Sequence, residues 1–151
     1  MLASTAAAHA LALLGTVPTM KLHKALFWLQ TAHLQLHGSP AFADDIVATR
    51  GGPVVPSVKA IHDEFTNLIL EPDDACKLAS DGTPLPPDMM RICMQICSYM
   101  RPFKGSELTM QVMRDPAWNL ARGDIAPTDQ TSPTIPHDVL EMFALPMHIA
   151  R

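Results

Sequence analysis

The stretch from Lys21 to Leu36 limits the fold of this chain more than any other. Leu22, Ala25, Leu26, Leu29, Ala32, His33 and Leu36 recur at the i, i+3, i+4 and i+7 spacing of one helical face. Pro18 precedes the run and Gly38-Ser39-Pro40 follows it, so the helix is bounded on both sides. Thr19 is the natural N-cap. So wide an apolar stripe must be covered by other elements. Phe27 and Trp28 lie off the stripe and meet either a second packed layer or a partner.

The remaining sequence supplies further helices to do the covering. Ala3 to Leu14 reads as a helix with Gly15 at its C′ position. Val55 to Leu70 reads as another, with Pro56 in its first turn and Val58, Ile61, Phe65 and Leu68 along one side. Asp88 to Met100 carries Met89, Ile92, Cys93, Ile96, Cys97 and Met100 on a broad apolar face. Ser106 caps a short helix through Met113, Trp118 to Arg122 forms a further turn, and a last helix runs from Pro136 to about Leu145 with Val139, Leu140 and Phe143 inward. The 42–49 stretch is short, and Ile46 and Val47 allow a strand there. Arg50-Gly51-Gly52-Pro53 is a turn, and Gly52-Pro53 forms a structural corner before the next helix. Pro72 to Pro87 and Gly123 to Thr134 read as exposed connections. The expectation is a mainly α, single helical domain over 1–151, with a short extended segment or hairpin before the Gly-Pro turn.

Composition narrows the class. With 48% hydrophobic and 17% charged residues the chain is not a disordered one. A net charge of -4 with no Lys/Arg stripe argues against nucleic acid as a partner. The apolar stretch before Leu14 has no preceding Lys or Arg and is shorter than the roughly 20 residues a bilayer needs, so it reads as a structural helix, neither signal peptide nor membrane anchor. Three cysteines, two of them four apart on an apolar stripe, fit a reduced cytoplasmic protein.

Chemistry-bearing patterns are few. His33 and His37 have H-x₃-H spacing, and Cys93 and Cys97 share it on another helix. A small metal-dependent enzyme with Cys₂His₂ ligands is therefore one reading. The other reading, which the stripe favours, is buried apolar thiols, a histidine at a helix end, no metal and no cofactor. Asp44-Asp45 and Asp73-Asp74 read as solvated loop carboxylates, and His62-Asp63-Glu64 as an outward helix face. No nucleophile elbow, HExxH motif or phosphate loop is present. Met89, Met90, Met94 and Met100 read as core, with Met90 and Met94 the exceptions that face a partner.

Lys21-Leu22-His23-Lys24-Ala25-Leu26-Phe27-Trp28-Leu29-Gln30 resembles the signature helix of Panacea-domain antitoxins of the SocA type. The resemblance continues through Gly38-Ser39-Pro40-Ala41-Phe42 and is closest at Gly52-Pro53-Val54-Val55-Pro56-Ser57-Val58. Gly105-Ser106-Glu107-Leu108 and Pro116-Ala117-Trp118-Asn119-Leu120-Ala121-Arg122 are similar to later blocks of that family, so nearly the whole chain is covered. Lys59 departs from the family, which commonly has tyrosine there. What the resemblance implies is a bacterial or phage-encoded, non-enzymatic antitoxin that neutralises a cognate toxin protein by direct binding. The SocA branch implies an alternative, a proteolytic adaptor that hands the toxin to a Clp-type protease. Aromatic and arginine side chains anchor most such interfaces. Phe27, Trp28, Arg50 and Arg122 are accordingly the expected partner-binding residues, with Met90 and Met94 as a second edge.

Overall fold

The computed structural model describes residues 1–66, 68–126 and 128–150. The mainly α expectation holds. Among the described residues there are eight α-helices and two two-stranded antiparallel sheets. The first helix, α1, spans Ala3–Leu14, and Gly15 closes it at φ +82°, a conformation that suits glycine. Its alanines Ala3, Ala6, Ala7 and Ala10 are buried, which brings its backbone close to its neighbours. No carboxylate lies in its own first turn. Asp44 supplies one from afar, accepting the Ala3 N–H at 2.9 Å and the Ser57 hydroxyl at 2.6 Å. Asp44 is therefore half-buried and bonded rather than a solvated loop carboxylate.

The long helix α2 spans Thr19–His37 and runs through the centre, packed against α1 and three later helices. Pro18 takes the N-cap position expected of Thr19. Val17–Pro18 (β1) pairs with Ile69–Leu70 (β4), and Thr19 N–H donates to the Leu68 carbonyl at 2.8 Å. That pairing corrects the expected helix from Val55 to Leu70. The helix α3 spans only Pro56–His62, because the chain must turn back to bury Leu70 beside Val17. Leu68, expected inward, is 72% exposed. Asn67, inside the expected helix, lies outside the described residues.

Between α2 and α3 stands a hairpin of Val47–Thr49 (β2) and Gly52–Val54 (β3), with Arg50-Gly51 at its tip. The Gly-Pro pair is thus the start of the second strand rather than a corner between strand and helix. Gly52 takes φ +133°, where a side chain is strained. Ala48 faces Pro53, and the Ala48 N–H points away, to the Pro133 carbonyl at 2.7 Å. The pair is therefore a non-hydrogen-bonded one, and the missing N–H of Pro53 costs no ladder bond.

The 72–87 connection is less exposed than its polarity suggests. It holds a 3-10 turn, Pro72–Asp74, and a short helix α4, Ala75–Leu78, and it buries Leu78 and Leu85. Helix α5, Pro87–Met100, lays its apolar face on α1 and α2. Helix α6, Gly105–Met113, has Lys104 rather than Ser106 at its N-cap, with the Glu107 carboxylate accepting the Lys104 N–H at 2.9 Å. Asp115 caps α7, Pro116–Arg122, by accepting from Ala117 and Trp118 N–H. The 123–134 connection ends in a bridge from Thr134 to Val47, and α8, His137–Met142, is shorter than expected. Pro127, one of the prolines expected in that loop, lies outside the described residues. One contiguous apolar core joins α1, α2, α5, the hairpin and the later helices. Among the described residues no helix is long and apolar enough to cross a membrane.

Candidate partner-binding site

The polar side chains of α2 are buried with the apolar ones. Lys21, His23, Lys24, Gln30 and Thr31 are all within the core, so α2 is enclosed on nearly every side. Each of these that makes a hydrogen bond makes it to a different neighbour. Gln30 donates to the Phe42 carbonyl and accepts from the Ala41 N–H, both at 2.8 Å. Lys24 Nζ donates to Thr109 Oγ1 at 2.8 Å, and that hydroxyl passes its own proton to the Gly105 carbonyl at 2.9 Å. Burial of the ammonium lowers the Lys24 pKa to about 8. Lys24 passes beside Gly52, where a Cβ would lie in ordinary contact at 3.8 Å from Lys24 Cε, so the φ of +133° and not the space calls for glycine.

His23 and His62 form a buried pair with a defined proton order. The Val55 N–H donates to His23 Nδ1 at 3.1 Å, so that nitrogen is unprotonated. The His23 proton is therefore on Nε2, which faces His62 Nε2 at 2.9 Å. His62 Nε2 must accept, leaving its proton on Nδ1, which is buried 3.3 Å from Asp63 Oδ1 but has no hydrogen-bond partner among the described residues. Burial, then the charge of the neighbouring histidine, pushes the His23 pKa down to about 3. Burial also lowers that of His62. The sequence placed His62 on an outward face. The structure places it inside, because α3 ends there and turns its last ring onto α2. The signal available was the i, i+4 spacing from Val58 to His62, the two buried residues of this helix.

Arg122 is the second polar centre. It was expected at an interface but is 6% exposed. Its guanidinium donates to the carbonyls of Ala48, Thr131, Ala126 and Asp129 at 2.6–3.4 Å. The planar fork thus ties the hairpin to α7 and to the following loop. Trp118 Nε1 adds a bond to the Thr49 carbonyl at 3.0 Å.

Phe27 and Trp28 are likewise buried, at 1% and 0% exposure, so the packed layer and not a partner receives them. The cause is the enclosure of α2. Trp28 meets Tyr99 edge-on at 6.1 Å between ring centres. Met90 is half-buried against the core, while Met94 is exposed. Pro56 sits in the first turn of α3 as expected.

Of the expected anchors, Arg50 is the one at the surface beside a concavity. A cleft of about 400 Å³ opens at the hairpin tip, lined by Arg50, Met113, Trp118, Asn119, Arg122, Gly123 and Ile125. Met113 and Trp118, which line this cleft, were not among the residues expected from the sequence. Their only sequence signal was a tryptophan and a methionine in short helices where no stripe required them. A second cleft, of about 380 Å³, lies over the histidine pair.

The four residues of the proposed Cys₂His₂ set do not converge. Cys93 and Cys97 are buried free thiols, and the Cys97 pKa is raised by the Cys93 hydrogen bond and by burial. His33 bonds the Ser39 carbonyl and His37 the Asp88 carboxylate. Among the described residues no group of three or more His, Cys, Asp or Glu side chains is placed to hold a metal ion. No protein-family model, no curated protein and no solved structure matches the chain.

Proposed function

We propose that this chain is a protein-binding antitoxin that neutralises a cognate toxin by direct contact, not an enzyme. The observation that carries the reading is the cleft at the hairpin tip. It brings an exposed arginine, a methionine and a half-buried tryptophan together in one concavity. Arginine and tryptophan dominate the energetics of protein interfaces, and methionine adapts to varied partners.

The placement of the resemblance adds support. His23 meets Val55, Lys24 lies beside Gly52 and bonds Thr109 within α6, and Gln30 holds Ala41-Phe42. Trp118 and Arg122 reach the Thr49 and Ala48 carbonyls. The blocks at 21–30, 38–42 and 52–58 that are similar to Panacea-domain antitoxins are thus joined to one another, and the block at 116–122 bonds the hairpin strand beside the cleft.

The test is co-expression with the product of the adjacent small open reading frame. Growth arrest by that product alone, relieved by this chain, with the two proteins co-purifying, is the expected result. A harmless neighbour, or unrelieved arrest, sinks the reading. Toxin half-life in the same cells, with and without a Clp-type protease, separates simple neutralisation from adaptor-driven degradation.

A further inference from the structure

We propose that the cleft at the hairpin tip receives a partner segment bearing a carboxylate next to an aliphatic side chain. This rests on the protein-binding reading and names the chemistry of the partner. The cleft has an apolar part and a cationic part. Met113, Trp118 and Ile125 supply the first, Arg50 and Arg122 the second.

The cationic part is offset from within only at a distance, by Asp129, whose carboxyl pKa is lowered by its bonds to Thr131 and, last, by the Arg122 charge. Among the described residues neither arginine makes an ion pair with a carboxylate. Arg122 is held by four neutral carbonyls, so its charge is fixed beside the cleft rather than cancelled. The nearby Asp129 turns its carboxylate to the Thr131 N–H at 2.8 Å. Arg50 projects from a two-residue turn and, among the described residues, makes no side-chain hydrogen bond, so its fork is open to an incoming acceptor. No acidic side chain lines the cleft, although the whole chain carries a net charge of -4.

A positive concavity on a negative protein selects an acidic segment from solution and fixes its orientation. The arginine fork matches a carboxylate in two-point contact. The indole is held in place by its bond to the Thr49 carbonyl, so the apolar part is preorganised for an aliphatic side chain. The volume of about 400 Å³ is that of a side-chain pocket, not of a docking face for a whole domain.

The test uses the full chain labelled with 5-fluorotryptophan. The sequence has two tryptophans, so two ¹⁹F signals arise, and Trp118→Phe assigns them. The probes are acetyl-Leu-Glu-Leu-amide and acetyl-Leu-Gln-Leu-amide. The acidic peptide should shift the Trp118 signal and leave the buried Trp28 signal in place, with binding at least about tenfold tighter than the neutral peptide. Arg50→Glu, folded by circular dichroism, should reverse the preference toward acetyl-Leu-Lys-Leu-amide.

Equal response to acidic and neutral peptides overturns the proposal in favour of an uncharged apolar groove. A Trp118 shift that follows protein concentration without peptide overturns it in favour of a second copy. No shift with about 10 mM peptide, far weaker than any specific contact, also overturns it. Neutralisation that survives Arg50→Glu removes the cleft and leaves the antitoxin reading. Acidic-peptide binding without neutralisation removes the antitoxin reading and leaves the cleft.

Discussion

The layer formed by α1, α2 and α5 and the centre around the β2–β3 hairpin are both buried, but they cohere differently. In the layer Ala6, Leu11, Leu26, Trp28, Ile92 and Ile96 are packed out of water, and contact with like neighbours holds them. Around the hairpin His23, Lys24, His62 and Arg122 are equally inaccessible, yet each is held by bonds aimed at particular atoms. The layer asks for volume and apolarity, and the hairpin centre for chemistry. The first therefore responds to changes in volume, and the second to where each charge, donor and acceptor is placed.

The largest expected effect falls in the layer. Trp28→Ala should cost about 4 kcal/mol, the range for emptying an aromatic site in a core. Trp28→Phe should cost much less, since it also removes a buried indole N–H that has no partner among the described residues. Urea denaturation measures both. A Trp28→Phe loss as large as that of Trp28→Ala would mean that the layer, too, depends on directed contacts.

Arg122→Met comes next, at about 3 kcal/mol, because the change keeps the packing stem but leaves carbonyls that met the guanidinium without their donor. Arg122→Lys should recover less than half, since a single ammonium cannot reach a set of acceptors spread over the hairpin and the loop. Hydrogen exchange should rise first in the 123–134 loop. Full rescue by lysine would show that charge alone matters there, and the comparison with the layer would weaken.

Acid should expose the hairpin centre alone. Unfolded, both histidines take up protons near pH 6.5. Folded, burial holds His23 near 3 and His62 below its usual value. As pH falls through 6.5 the unfolded chain binds protons that the folded chain refuses, so stability falls, and the loss continues toward pH 3. Each refused proton contributes at most about 1.4 kcal/mol per pH unit. A fall of about 2 kcal/mol between pH 6.5 and 4.5 is expected, and His62→Phe should make it shallower. A stability profile that stays flat over that window would contradict the buried, neutral pair.

The same contrast explains what the sequence made legible. The stripes from Leu22 to Leu36 and from Met89 to Met100 gave α2 and α5 within two residues at each end, since spacing alone defines an apolar face. Their off-stripe residues were not legible. Phe27 and Trp28 stood open between a second packed layer and a partner, because a stripe says which side is buried first, not that the other sides stay open. The 55–70 pattern failed because pairing of Leu70 with Val17 is a non-local contact that competes with helical spacing. Within the site Arg50 could be reached from the turn. The roles of Arg122 and His62 could not, because a residue's acceptors are fixed by distant loops such as Thr131 and by the partner ring on α2.

The smallest expected effect is also the one of opposite sign. Lys24 is 1% exposed, and its ammonium meets one hydroxyl and no carboxylate partner among the described residues. Burial lowers its pKa to about 8, against an ordinary 10.5. At neutral pH the folded chain therefore keeps a charge that would be better hydrated in the unfolded one. Between pH 8 and 10.5 the folded chain releases that proton while the unfolded chain retains it, so this group makes stability rise with pH across the window. Lys24→Met keeps the length of the stem beside Gly52 and removes the charge. Replacing a buried charge by an apolar side chain of similar volume is commonly neutral or stabilising, so the variant should lie within about 1 kcal/mol of the wild type, on the stabilising side. It should also lose the alkaline rise. Thr109 still donates to the Gly105 carbonyl, so the start of α6 keeps its own bond. A clear loss of stability in Lys24→Met would show that the hydrogen bond to Thr109 outweighs the cost of burying the charge, and that even the least favourable polar group of the hairpin centre holds the fold together.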